Sequence, residues 1–167
     1  MYKRQAIHNL VLTDEELQEF DANKKVNPPL RTPEHNQTLL EGIKDGTVDM
    51  VTSDHNPIDI EHKKVEFSIG KDGTIGLESA FGALNTVLDI ETLVKVLTDS
   101  PKKRFGIKID TIDVNQKAEL TLFTTEGSYT FTESDILSSS KNSIFLGTEL
   151  KGKAYGIFNN NQLILNQ

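Results

Sequence analysis

A short apolar stretch of the chain ends in two residues whose side chains can carry chemistry. Met50–Ser53 is typical of a buried strand, and Asp54 and His55 follow it directly, before the turn residues Asn56-Pro57. In α/β folds, side chains at the carboxyl ends of strands face the ligand crevice. An aspartate there can bind a metal ion or transfer protons. The alternative from spacing alone is that Asp54 caps the turn and that His55 only packs or hydrogen-bonds nearby.

Two further loops carry polar groups suited to ligand binding. Lys25–Arg31 presents Asn27 just before a Pro-Pro pair that holds the loop extended. An asparagine there could donate and accept hydrogen bonds to a ligand amide, and a stiff connector is the alternative. Gly70–Ser79 is a glycine-spaced loop that leads into a helix, so its backbone N–H groups could hold an anionic group.

The composition excludes several functional classes. The 167 residues include no cysteine, which rules out disulfides, Cys-ligated zinc, Fe–S clusters and thiol nucleophiles. A net charge of −7 makes the chain a poor binder of phosphate backbones, and no stretch is apolar enough for a membrane helix. The four histidines form no metal-binding pair of the His-x-His or His-Glu-x-x-His type, and Glu61–Lys64 is expected to be a solvated face.

The first part of the chain alternates helices with a strand. Thr32-Pro33 predicts a helix that ends near Gly46, because proline is favoured in the first turn. Apolar residues at helical spacing predict another helix over 77–88, and Asp89 is expected to cap the next one. Ser100-Pro101 is expected to open a last short helix.

After Gly106 the sequence changes to short β-type runs separated by turn residues. The runs are Ile107–Ile109, Ala118–Phe123, Ser128–Phe131, Ile144–Leu146, Tyr155–Phe158 and Leu163–Leu165. Asn159–Asn161 predicts the turn of a closing hairpin. We therefore expect an α/β chain in two parts, 1–105 and 106–167.

The start of the chain lies inside an apolar run. Ala6–Leu12 follows Met1–Gln5, whose basic residues Lys3 and Arg4 are too few for a signal peptide. We therefore expect a C-terminal piece of a longer protein, with a short N-terminal strand as the alternative. The default location is the cytoplasm.

Five segments in consistent order resemble the C-terminal part of dihydroorotase, a cyclic amidohydrolase. His8-Asn9-Leu10 is similar to the family's His-His-Leu, Lys25–Arg31 to Lys-Val-Asn-Pro-Pro-Leu-Arg, Asp45–Pro57 to a strand that ends in Thr-Asp-His-Ala-Pro-His, Gly73–Ser79 to a Gly-Leu-Glu-Thr helix start, and Ser140–Gly147 to Ser-x-Asn-x-Pro-Phe-x-Gly. The resemblance covers nearly the whole chain after residue 5.

The resemblance implies a fold and an activity. Residues 1–105 would form the C-terminal portion of a metal-dependent (β/α)8 amidohydrolase (TIM) barrel, with strands near Val26 and at Met50–Ser53. Residues 106–167 would supply strands of a composite β-sandwich domain. The implied reaction interconverts dihydroorotate and N-carbamoyl-aspartate in de novo pyrimidine biosynthesis, with one or two zinc ions.

Three residues take family roles by their motif positions. Asp54 matches the aspartate that contacts the metal centre and acts as general base and then acid. Asn27 matches the asparagine that hydrogen-bonds the substrate ring, and Gly73 matches a glycine whose backbone helps to hold the substrate. Asp54 is the only member of the family's metal-binding set in this chain, so the chain alone is expected to be inactive.

Two positions depart from the family pattern. Ile58 replaces a histidine that helps to bind the substrate carboxylate, for which His62 is a candidate substitute, and Asp72 replaces a proline beside Gly73. These departures favour an alternative, a non-catalytic dihydroorotase-like scaffold that partners aspartate carbamoyltransferase. Another cyclic amidohydrolase, an allantoinase or hydantoinase, is less consistent with the Asn27 loop. The expected partners are a small-molecule substrate and further copies of the chain, with neither nucleic acid nor membrane.

Overall fold

Two short parallel strands position the candidate site. The computed structural model describes residues 3–109 and 111–166, so Met1 and Tyr2 of the basic start lie outside the described part. β1 (Arg4–Ala6) pairs in parallel with β2 (Met50–Thr52). Parallel neighbours need a long crossover connection, which residues 7–49 supply. The strand expected at Met50–Ser53 is confirmed.

The helices of the described residues are short. They are α1 (His8–Val11), α2 (Pro33–Lys44), α3 (Ala80–Leu84), α4 (Ile90–Val94) and α5 (Ser100–Arg104), with a π-helical segment at Lys95–Asp99 and 3₁₀ turns at Asp14–Leu17, Ala22–Lys24, Ile60–His62 and Glu133–Asp135.

Two of the helix predictions are confirmed by their ends. α2 begins at Pro33 and stops before Gly46, whose φ of 82° is a left-handed conformation that favours glycine. The Asp89 carboxylate accepts a hydrogen bond from the Thr92 N–H at 2.9 Å and so caps α4.

Of two other helix predictions, one is wrong in extent and one is confirmed except for its separation from the preceding helix. The helix expected over 77–88 is confined to α3, and Leu77 is 62% exposed instead of facing the core. Ser100-Pro101 begins the short helix α5 as expected, and α5 ends before Gly106, but it continues from α4 and the π-helical segment without a break. The π-helical segment ends at Asp99, two residues before Pro101, which has no N–H for a regular helical bond.

An antiparallel sheet follows. β3 (Leu120–Thr130) pairs with β4 (Glu149–Asn159), and β4 pairs with β5 (Gln162–Leu165). The predicted closing hairpin is confirmed: Asn160 and Asn161 have positive φ values of 49° and 59°, as its two-residue turn requires.

Three expected strands are absent from the described residues. Ile107–Ile109 is not in a strand, and Ile144–Leu146 is buried or half-buried as a turn. The Ile144 N–H donates to the Thr74 hydroxyl at 2.8 Å instead of to a strand partner. The strand expected near Val26 is likewise missing, since Lys25 bonds to the turn residue Ala22 and to the Gly73 loop.

The apolar core runs through both parts of the chain. Its fully buried members include Ile7, Leu84 and Leu93 from the first part and Phe145 and Leu150 from the second. At Gly82 an added Cβ would lie 3.1 Å from the Leu150 Cβ, so the glycine allows α3 to pack closely against β4. The core therefore fixes the antiparallel sheet against the segments that carry the candidate site.

Candidate functional site

Asp54 leaves the end of β2 in an unusual backbone conformation. Its φ is 50°, a left-handed value that is uncommon for a residue other than glycine. Its N–H donates to the Thr52 hydroxyl at 3.3 Å, and its side chain is exposed. Such strain is often found at functional positions. The Asp54 carboxylate is thus exposed to solvent at the carboxyl end of β2, as the sequence predicts.

His8 lies at the matching end of β1. Its side chain is fully buried, and neither ring nitrogen has a hydrogen-bond partner in the described part of the chain. Burial lowers the pKa of His8 to about 4, against a smaller opposite effect of the Asp54 charge. His8 is therefore neutral at pH 7. It also lies close enough to Asp54 for the Asp54 charge to act on its pKa.

His55 has a structural role. Its Nδ1 accepts hydrogen bonds from the N–H groups of Gly76 and Leu77 at 3.2 and 3.3 Å. Nδ1 is thus the acceptor, and Nε2 faces the Ser138 hydroxyl at 3.5 Å. His55 joins the end of β2 to the segment that leads into α3. This is the alternative stated from the sequence, in which His55 only packs or hydrogen-bonds nearby.

Asn142 joins the two loops that carry Asp54 and Gly73. Its Oδ1 accepts a hydrogen bond from the Ile58 N–H at 3.1 Å, and its Nδ2 donates to the carbonyls of Asn56 at 3.1 Å and Gly73 at 3.4 Å. Its own carbonyl accepts from the Ile75 N–H at 3.1 Å. We call residues 53–58, 73–76 and 140–142 the loop junction.

Gly73 lies directly against the Asp54 loop. Its φ is 134°, and an added Cβ would come within 2.5 Å of the Asn56 Nδ2. The neighbouring backbones are also joined, since the Asn56 N–H donates to the Thr74 carbonyl at 2.8 Å. The position therefore requires glycine, and the structure brings the Gly73 loop to within two residues of Asp54.

Asn27 borders a cavity of about 320 Å³ beside the Gly73 loop. Lys25, Phe67 and Asp72 also line this cavity. The Gly73 N–H donates to the Lys25 carbonyl at 3.0 Å, which ties the Asn27 loop to the Gly73 loop. Asp54 does not line the cavity and connects to it through the loop junction.

The Pro-Pro pair after Asn27 is supported from the end of β1. The Asn9 side chain donates to the Pro29 carbonyl at 3.2 Å and to the Pro28 carbonyl at 3.5 Å. Asn9 is buried, whereas Asn27 is exposed. The Asn9 position of the His8-Asn9-Leu10 segment thus holds the loop that presents Asn27.

The two departures from the family pattern lie next to these loops. Ile58 is half-buried, and its backbone is held by Asn142 and by the Ser140 hydroxyl, which donates to the Ile58 carbonyl at 2.6 Å. Asp72 adds a negative charge to the lining of the Asn27 cavity. His62 is exposed.

The burial of Lys63 does not follow from the sequence pattern. The expected solvated face is correct for Glu61, His62 and Lys64, which are exposed, but wrong for Lys63, which is only 4% exposed. Its ammonium donates to the carbonyl of Ala22, 41 residues away in sequence. Nothing local in the sequence indicates this burial, because the partner is a distant backbone carbonyl.

The residues that the structure describes do not form a complete metal site. Among residues 3–109 and 111–166 there is no group of three or more His, Cys, Asp or Glu side chains that could hold a metal ion. A catalytic zinc normally takes three protein ligands. The exposed Asp54 carboxylate could serve as one ligand, but the residues present do not make up the site.

Comparisons with known proteins place the chain by sequence. No protein-family model matches it. A dihydroorotase of Caldicellulosiruptor saccharolyticus is 37% identical over 163 residues, which are 94% of this chain and 38% of that protein. A dihydroorotase of Bacillus subtilis is 36% identical over 151 residues, or 87% of this chain and 35% of that protein. The chain thus spans less than two fifths of these relatives.

Solved structures place the chain by fold. An L-hydantoinase (dihydropyrimidinase) from Arthrobacter aurescens superposes with a TM-score of 0.88 at 25% identity, over 99% of this chain and 39% of that one. The inactive dihydroorotase-like domain of a Chaetomium thermophilum CAD-like multifunctional protein gives 0.63 at 19% identity, over 97% of this chain and 43% of that one. The fold is the C-terminal part of an amidohydrolase barrel with β-sandwich strands.

A further observation concerns membranes. No helix of the described residues combines the length and apolar character needed to cross a membrane.

The fold is that of the amidohydrolases, and the sequence identifies the family within them. By its sequence, the chain belongs to the dihydroorotase family, whose C-terminal part it matches.

Proposed function

We propose that the chain supplies the C-terminal part of a dihydroorotase, including the catalytic Asp54. The enzyme would interconvert dihydroorotate and N-carbamoyl-aspartate in pyrimidine biosynthesis. The observation that carries the proposal is the loop junction, which holds Asp54 and Gly73 together and extends through Lys25 to Asn27. These are the three residues that the family pattern assigns to the site.

Asp54 is the proposed proton carrier. Hydrolysis of a cyclic amide adds water to the ring carbonyl and breaks the C–N bond, so a proton must leave the attacking water and reach the departing nitrogen. A carboxylate can take the first proton and return it to the nitrogen. Asp54 is suited to both steps because it is exposed at the end of β2.

Asn27 and Gly73 are the proposed substrate-holding groups. The Asn27 amide can donate and accept hydrogen bonds to the ring amides. The open φ of Gly73 lets a ligand approach its backbone without meeting a side chain. In this proposal 1–105 is the barrel portion and 106–167 the sandwich portion.

Zinc is the proposed metal, and it would supply Lewis-acid polarisation of the ring carbonyl. Asp54 would be its one ligand from this chain, and the remaining ligands would come from a barrel portion such as the longer relatives possess. The 167-residue chain alone is therefore proposed to be inactive. A cytoplasmic location and homo-oligomerisation remain predictions.

A second candidate is a non-catalytic dihydroorotase-like scaffold, for which aspartate carbamoyltransferase is the proposed partner. Ile58 and Asp72 favour it, because the first cannot bind a carboxylate and the second repels one. The fold similarity to an inactive dihydroorotase-like domain is consistent with it.

A hybrid enzyme tests the first proposal against the second. The C-terminal part of the C. saccharolyticus dihydroorotase is replaced by this chain, and dihydroorotate hydrolysis is measured. Turnover in the hybrid, with a loss of about a hundredfold or more in kcat for Asp54→Asn, is expected. A folded, metal-loaded hybrid without turnover would favour the scaffold.

The Ile58→His variant of the hybrid sharpens the comparison. A hydrogen bond to a charged group contributes about 1.5–3 kcal/mol, so KM for dihydroorotate should fall by about ten- to a hundredfold. Ile60→His, at an exposed position two residues further on where a 3₁₀ turn begins, is the matched control. An unchanged KM would mean that another residue holds the carboxylate, and His62 would be the first to test.

A further inference from the structure

Lys63 is a buried cation that contacts backbone carbonyls of the candidate site. Its ammonium donates to the Ala22 carbonyl at 2.9 Å and to the Lys25 carbonyl at 3.3 Å. The neighbouring Lys64 is exposed. Fully buried lysines are rare unless they are paired, because removing the charge from water is costly. The burial of Lys63 therefore needs an explanation, because a lysine that served only to keep the surface soluble would be exposed.

The contacts of Lys63 converge on the point where the two substrate loops meet. The Lys25 carbonyl accepts from Lys63 and also from the Gly73 N–H at 3.0 Å. Asn27 follows two residues after Lys25 and borders the cavity that Asp72 also lines. One carbonyl thus joins the Lys63 ammonium, the Asn27 loop and the Gly73 loop.

The surrounding charges suit an ammonium at this point. Asp21 and Asp72 both act to favour the charged form of Lys63, whereas burial and Lys25 disfavour it and lower its pKa to about 8. Lys63 therefore remains mainly charged at pH 7. Ala22, whose carbonyl binds Lys63, is also closely packed against Gly70, since an added Cβ at Gly70 would lie 3.0 Å from the Ala22 Cβ.

We propose that Lys63 is a positioning residue that sets the spacing between the Asn27 side chain and the Gly73 backbone by binding the Ala22 and Lys25 carbonyls. The proposal rests on the proposed function of Asn27 and Gly73 in holding the cyclic amide. Lys63 itself does not border the Asn27 cavity, so it acts through the loop backbone.

Amide hydrogen exchange on the 167-residue chain tests the contact without any activity. Lys63→Met removes the donors and keeps the length of the side chain, and exchange at the Gly73 N–H should rise about tenfold or more. Lys64→Met makes the same change of charge at the exposed neighbour and should leave it unchanged. The Ile157 N–H in β4 serves as an internal reference for global opening.

Two outcomes with Lys63→Met overturn the proposal. Unchanged exchange at Gly73 in Lys63→Met would show that the ammonium does not hold the loops. An equal rise at Gly73 and Ile157 would make Lys63 a residue of general stability. If Lys63→Met does not fold, Lys63→Arg decides, because it keeps charge and donors: protection of Gly73 near that of the native chain supports the proposal, and its loss overturns it.

Kinetics of the hybrid enzyme separate positioning from stability. Lys63→Met should raise KM for dihydroorotate about tenfold, with kcat within a factor of about three, because Asp54 is untouched. Lys63→Arg should recover part of the loss, and Lys64→Met should match the unmodified hybrid. A lower kcat with unchanged KM contradicts the positioning role. An unmodified hybrid without turnover counts against the proposed function, and the exchange result then decides the Lys63 proposal.

Discussion

The loop junction and the antiparallel sheet are stabilised in opposite ways. In the loop junction, buried polar groups such as Asn142 and Thr74 bond to backbone atoms of distant segments. In the sheet, the backbone is satisfied by strand pairing, while apolar side chains such as Ile157 and Leu163 are about half exposed. Directed hydrogen bonds hold loops in a single geometry. Strand pairing, in contrast, satisfies the backbone of a sheet but leaves its exposed apolar side chains and edge strand open to further contacts.

This difference has a consequence for function. A carboxylate, an amide and a backbone glycine can act on one substrate only if their loops keep a defined spacing. The loop junction supplies that spacing from segments far apart in sequence, and three changes to the chain test how far the two regions differ.

Removing the Asn142 side chain should have the largest effect on stability. Asn142→Ala leaves the Ile58 N–H and the carbonyls of Asn56 and Gly73 without this partner. Fully buried groups left unpaired cost about 1–3 kcal/mol each. Because these three contacts are only partly buried and water can replace part of them, a total loss of about 2–4 kcal/mol in the free energy of unfolding is expected. Urea denaturation measures it.

Ser139→Ala is the matched control for Asn142→Ala. Ser139 is exposed in the same segment, and the expected change is within about 0.5 kcal/mol. If Asn142→Ala is as mild as the control, the polar contacts of the loop junction do not determine its geometry.

Acid should weaken the end of the molecule that carries β1 and β2. The pKa of buried His8 is lowered from 6.5 to about 4, so the unfolded chain binds a proton at a higher pH than the folded chain. Stability is then present above pH 6.5 and is lost as the pH falls toward 4, by up to about 3 kcal/mol.

Urea denaturation at several pH values between 7 and 4 measures the loss. His8→Leu should flatten this part of the profile, whereas His62→Leu, at an exposed position, should not. The antiparallel sheet contains no histidine, because all four lie in the first 62 residues. An unchanged acid profile in His8→Leu would assign the loss to carboxylates instead.

Local patterns predicted the elements whose signals lie within a few residues. The proline at the start of α2, the aspartate before α4 and the asparagine turn of the last hairpin each act on their own neighbours. The position of Asp54 at the end of a strand was also predictable, because a buried apolar run ends directly before it.

Features that depend on distant partners were not predictable from the sequence. Ile144–Leu146 has the composition of a strand, but its first N–H bonds to Thr74, 70 residues away. The burial of Lys63 depends on carbonyls 38 and 41 residues away. The loop junction is made almost entirely of such contacts, so its residues could be listed from the sequence while their arrangement could not.

The smallest expected effect concerns the edge of the antiparallel sheet. In β5, Leu163, Ile164 and Leu165 are 54–55% exposed, and an apolar edge strand favours association between copies. We expect the 167-residue chain to self-associate at high concentration. Leu163→Lys should weaken the association constant about tenfold, as expected for the loss of part of a leucine side chain from a contact.

Sedimentation equilibrium measures the association. Gln162→Lys adds the same charge to β5 without removing an apolar group, so it separates repulsion from lost burial. Leu163→Lys should change the free energy of unfolding by less than about 0.5 kcal/mol, because the side chain is already half in water. This is the reverse of Asn142→Ala, which should alter stability and leave association unchanged. A native chain that stays monomeric at all concentrations would show that the exposed side chains of β5 do not drive association. The sheet would then resemble the loop junction, whose contacts are all made within the chain.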